Sequence, residues 1–84
     1  MYLSVQLSYY PLSDDFKPAV REVVKCLQRQ SELEVYPNRM STQVFGEVDA
    51  VMAALGEVMK WSFETYGKAV FVANILEGDR RPDA

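Results

Sequence analysis

Leu3, Val5, Leu7 and Tyr9 alternate with Ser4, Gln6, Ser8 and Tyr10. This period-two pattern predicts a half-buried strand over Tyr2 to Tyr10, which Pro11 ends. Ser13, Asp14 and Asp15 then offer capping groups and negative charge at a helix start, and Pro18 falls in the first turn, where its missing N–H costs little. The apolar period changes to that of a helix at Phe16, Val20, Val23, Val24 and Leu27, predicting a helix from Phe16 to Gln30.

Glu32 to Tyr36 reads as a short second strand, with Leu33 and Val35 on one face. Pro37-Asn38-Arg39 is a turn signal, and Met40 to Gly46 reads as a third strand, so the two form an antiparallel hairpin. Val48, Val51, Met52, Leu55, Val58, Met59, Ser62 and Tyr66 trace a second helix. Asp49 sits in its first turn and Gly67 at its C-terminal cap. Lys68 to Glu77 is a fourth strand. The expectation is one domain over 1–78 and a flexible polar tail over 79–84, which carries Pro82.

The order βαββαβ, with right-handed crossovers, predicts a ferredoxin-like α+β fold: an antiparallel four-stranded sheet with two helices on one face. A dimeric α+β barrel or a less regular two-layer sandwich shares that order. Two helices cover only one side of such a sheet. Yet the fourth strand is apolar in both alternating sets, Ala69, Phe71, Ala73 and Ile75 against Val70, Val72 and Leu76. The second face of the first strand is polar but uncharged. A face of this kind predicts self-association, as a homodimer or homotetramer, or the floor of a ligand site.

Composition narrows the function. The chain has 84 residues, 49% hydrophobic and 25% charged, which is ordinary for one globular domain and excludes disorder. Nine basic and twelve acidic residues leave a net charge of −3, with no basic run, which argues against a nucleic-acid partner. There is no histidine, which removes the commonest general base and the commonest zinc ligand. Cys26 is the sole cysteine and cannot form an internal disulfide, which fits a reducing compartment. No apolar stretch reaches about 18 residues, and Met1 leads straight into the alternating segment without a basic leader. The expectation is a cytoplasmic protein with no membrane insertion, no cofactor and no enzymatic activity.

No phosphate loop or dinucleotide fingerprint is present. Asp14-Asp15 reads as a helix start before a metal site, Glu32 and Glu34 as solvated edge charges, and Cys26 as a small apolar residue, since no base can be named for it. Trp61 falls off the main stripe, placed to pack against the tail or a neighbouring chain. The polar residues set into strands carry more information. Ser8, Tyr9 and Tyr10 end the first strand; Ser41, Thr42 and Gln43 open the third; Asn74 interrupts the fourth. A buried Asn without a partner costs about 1–3 kcal/mol, so Asn74 predicts a strand neighbour, a second subunit or a ligand group. Hydroxyls and amides beside aromatic rings suit a flat heteroaromatic molecule, whose rings stack while its edge is read.

The segment Tyr10-Pro11-Leu12-Ser13-Asp14-Asp15-Phe16 resembles the strand-to-helix entry of YkoF-like proteins. The segment from Met40 to Asp49, with its Thr, short alternating strand and Gly46-Glu47 pair, resembles their third strand and second helix entry. These belong with the small thiamine-binding proteins that take hydroxymethylpyrimidine or thiamine on a ferredoxin-like domain. The resemblance spans about residues 3 to 80. It implies a non-catalytic vitamin-binding protein in thiamine uptake or salvage, self-associating, with thiamine or hydroxymethylpyrimidine as its small-molecule ligand. Thr42 matches the family's strand-three Thr and is expected on the pyrimidine; Ser8, Tyr9 and Tyr10 are expected to line the same pocket, with Ser41 beside them. Asn74 matches no motif and stands on its chemistry alone. The rival readings are a protein-interaction module acting through the open sheet face and a small α+β-barrel enzyme.

Overall fold

A computed structural model describes residues 1–12 and 16–82, with residues 16 and 17 as backbone only. The elements are β1 (Tyr2–Pro11), α1 (Phe16–Gln28), β2 (Glu34–Pro37), β3 (Thr42–Glu47), α2 (Val48–Tyr66) and β4 (Ala69–Glu77). All strand pairings are antiparallel, in the order β2-β3-β1-β4. This is the ferredoxin-like α+β fold. The capping expected of Ser13, Asp14 and Asp15 lies outside the described residues.

Register follows from burial. Leu3, Val5 and Leu7 pair with Gly46, Val44 and Thr42, which puts the apolar set of β1 on one face. That face packs on Val23 and Leu27 of α1 and on Val51, Leu55 and Val58 of α2. Two details differ from the expected stripes. In α2, Met52 is exposed and Ala54 is buried, because the inward row runs 51, 54, 55, 58, 62. In α1, Ala19, Val23 and Leu27 face the core, while Val20 and Val24 are only half-buried. Both shifts come from the helix docking angle, which periodicity leaves open to about one residue.

Gly67 caps α2 as expected, with φ of 85°, and its N–H donates to the Phe63 carbonyl at 3.0 Å. Gly46 is needed for closeness rather than for a turn. A Cβ there would lie 2.7 Å from Leu33 Cδ2 and 3.3 Å from the Glu32 carbonyl. The segment leading into β2 therefore rests directly on β3.

The helices sit over β1 and β3, and β4 is an edge strand. Val70, Val72, Ile75 and Leu76 consequently stay about half exposed in the single chain. The burial expected on both faces of this strand is not met within one chain. Trp61 is half-buried against the core and packs edge-on to Tyr66 of its own helix, 5.6 Å between ring centres. Within one chain its aromatic partner is therefore Tyr66. Among the described residues no helix is long and apolar enough to cross a membrane.

The segment expected as a flexible tail is described to residue 82. Its first residues lie across one end of the open face. Ser4 Oγ donates to the Gly78 carbonyl at 2.7 Å and accepts the Arg80 N–H at 2.8 Å. Arg81 stacks over the Tyr2 ring and pairs with Glu34 on β2 at 2.9 Å. Ser4 and Phe45 belong to the face away from the helices, yet both are buried.

Candidate functional site

The hairpin between β2 and β3 is shorter than the pattern predicts. Asn38 Oδ1 accepts the N–H groups of Met40 and Ser41, each at 3.0 Å, and Asn38 N–H donates to the Ser41 carbonyl at 3.0 Å. An Asn side chain held this way imitates a backbone turn. It takes residues 40 and 41 out of the strand, so β3 starts at Thr42. β1 runs on to Pro11, four residues beyond Leu7, the last to face β3.

That mismatch leaves a cavity of about 380 Å³ between the end of β1, α1 and the hairpin loop. Val20 and Val24 of α1 form its apolar wall, which explains why they are turned from the core. Thr42 and Ser41 lie on the loop side, with Thr42 nearly buried. Ser8, Tyr9 and Tyr10 line the opposite side. Strand alternation sends the Ser8 and Tyr10 side chains to the open face, so they meet the cavity through main chain. Tyr9 stays on the helix side, its ring 4.6 Å from that of Phe71.

The Tyr9 hydroxyl is buried and has no hydrogen-bond partner among the described residues. Ser62, which faces it, donates instead to the Met59 carbonyl at 3.0 Å. Burial pushes the Tyr9 phenol above its ordinary pKa; the Ser62 hydroxyl opposes this and Tyr66 adds to it.

Ser8, Tyr9, Tyr10, Ser41 and Thr42 therefore meet at one cavity, while Gln43 lines the open-face groove described next. Asn74 is not among the cavity residues. It lies on the open face, where its Nδ2 donates to Gln6 Oε1 at 3.2 Å. Both line a shallower groove of about 280 Å³, with Phe45 in its floor and Arg80 at its rim. A strand neighbour thus satisfies one Asn74 donor. Sequence reasoning missed Asn38, although its place in a Pro-Asn-Arg turn marks it as a side chain suited to bonding the main chain two residues on. Among the described residues no group of three or more carboxylate and cysteine side chains could hold a metal.

A family model described as thiamine-binding protein matches residues 5–84. No curated protein matches the chain in sequence. Among solved structures, a protein from Streptococcus pneumoniae superposes with a TM-score of 0.86 at 22% identity, covering 99% of this chain and 94% of that one. A hypothetical protein from Methanocaldococcus jannascii gives 0.80 at 19% identity, over 99% and 87% of the two chains. A protein from Thermotoga maritima described under thiamine biosynthesis/salvage gives 0.83 at 14% identity, over 93% and 85%. At such identities these likenesses speak for the fold.

Proposed function

The chain belongs to the thiamine-binding protein family, and from that premise we propose that it binds the pyrimidine ring of thiamine or of its hydroxymethylpyrimidine precursor, without catalysis, in thiamine uptake or salvage. The observation that carries this reading is the cavity where Thr42, Ser41 and the end of β1 converge. Its volume of about 380 Å³ falls within the range of roughly 300–1,000 Å³ of small-molecule sites. Its apolar wall suits the faces of a ring, and its polar rim suits an edge with an amino group and two ring nitrogens. Ser8, Tyr9, Tyr10, Ser41 and Thr42 form the binding set. Asn74 belongs to a second, open-face position, where a ligand or a second chain would complete its hydrogen bonding.

The family supports a small-molecule ligand; the open sheet face supports a homodimer or homotetramer. A cytoplasmic site of action fits the lone cysteine. Isothermal calorimetry with thiamine, hydroxymethylpyrimidine and a purine control tests the reading. Heat from the two pyrimidines and none from the purine is the expected result. Silence from both pyrimidines at millimolar concentration would leave the protein-interaction module as the better reading.

A further inference from the structure

The end of β1 holds a free main-chain edge whose direction can be worked out from three hydrogen bonds. The Met1 carbonyl accepts the Val48 N–H on the β3 side, at 2.9 Å. The Tyr2 carbonyl accepts the Gly78 N–H, and the Leu12 N–H donates to the Lys68 carbonyl, both on the β4 side, at 2.8 and 3.0 Å. Both registers run without a bulge from end to end. Strict alternation therefore aims the N–H and C=O of even residues at β4 and those of odd residues at β3. The odd residues beyond Leu7 are Tyr9 and Pro11.

The chain position that would face Tyr9 is Met40, and its N–H is already held by Asn38. Among the described residues neither the N–H nor the C=O of Tyr9 has a partner. Both belong to a residue lining the cavity that Thr42 also lines. A main-chain donor and acceptor left side by side at a ligand-sized cavity are free to pair with a molecule bound there.

We propose that Tyr9 reads the ligand with its main chain: its N–H donates to a ring nitrogen, and its C=O accepts from the exocyclic amino group beside that nitrogen. This rests on the pyrimidine reading above and assigns the recognising atoms. The ligand class it selects is a planar heteroaromatic amidine, an acceptor nitrogen next to an amino donor. Such an edge presents the pair of groups that the missing rung of β3 would have supplied. Asn38 is then a positioning residue, since it keeps Met40 from closing that rung. An extended peptide fits the edge less well. Pro11 has no N–H, so a strand could complete only one rung, and α1 walls the cavity with Val20 and Val24.

Residue-resolved amide hydrogen exchange on the isotope-labelled protein tests this, with hydroxymethylpyrimidine as the probe. In the free protein the Tyr9 amide should exchange fast, while Ser8 and Tyr10, held in the β4 ladder, exchange slowly. Saturating probe should slow Tyr9 by about tenfold or more and leave its two neighbours unchanged. Removing the exocyclic amino group from the probe should weaken binding about tenfold. Calorimetric binding without any change at Tyr9 would overturn the main-chain assignment and leave the pyrimidine reading standing. An absence of binding at millimolar probe would overturn both. Protection of Tyr9 by an extended peptide but not by the probe would assign the edge to strand addition and overturn the proposal.

Discussion

Arg81 reaches across the open face of the sheet to Glu34, closing a 2.9 Å ion pair between the segment after β4 and the edge strand β2. Asp79 holds the same guanidinium at 2.6 Å, and its own carboxyl pKa is lowered, chiefly by that hydrogen bond. These side chains are a third to a half exposed, so water screens the pair and it contributes little by itself. Its consequence is geometric: one end of the open face is covered by the chain's own residues, and the other end is not.

The uncovered end carries Tyr10, Val70 and Val72 in neighbouring positions on β1 and β4. Light scattering at micromolar concentration should give a dimer or tetramer of the 9.6 kDa chain. Val72→Glu should shift that mass toward the monomer. A stable wild-type monomer would show that this face is used by something else.

Thr42→Val keeps the side-chain shape and removes the hydroxyl from the cavity. Affinity for hydroxymethylpyrimidine and for thiamine should fall together, by about 1–3 kcal/mol or roughly 5- to 150-fold. The melting temperature should move less, because Val suits a strand. Unchanged calorimetric affinity for both compounds would move the site elsewhere on the chain.

Leu55 lies at the centre of the inward row of α2 and is nearly buried. Leu55→Ala should cost about 2–5 kcal/mol in denaturant unfolding, much of what so small a domain has. A loss below about 1 kcal/mol would place the helix in a different rotation.

The Tyr9 phenol keeps its proton in the folded chain at pH values where the unfolded chain releases it. Stability from this group is complete below the ordinary tyrosine pKa of 10.0 and is lost as pH rises through the raised folded value. Tyr9→Phe should fall less in stability between neutral and strongly alkaline pH; Tyr2, also raised chiefly by burial, sustains the remainder. At neutral pH the variant should equal the wild type or exceed it by up to about 1 kcal/mol, since an unpartnered hydroxyl is removed. Thermal melts across that pH range check both; a loss above about 1 kcal/mol at neutral pH would reveal a native bond to that hydroxyl.

The order of elements, the ferredoxin-like fold, the inward face of β1 and most of that of α2 were legible in the sequence, because period and breaker residues are local properties. Leu3, Val5 and Leu7 can be placed together without knowing what covers them. Thr42 and the end of β1 could likewise be named as polar groups set into strands. Tertiary structure alone decided which of them meet. Asn74 and Thr42 look equivalent along the chain, yet pairing places them on opposite faces of the sheet. Ser4 is buried where its hydroxyl bonds the main chain of Gly78 and Arg80, more than seventy residues away. The cavity itself exists because the Asn38 side chain ends one strand four residues before its neighbour stops. A difference in length between paired strands is a property of two segments in register, and no single segment carries it.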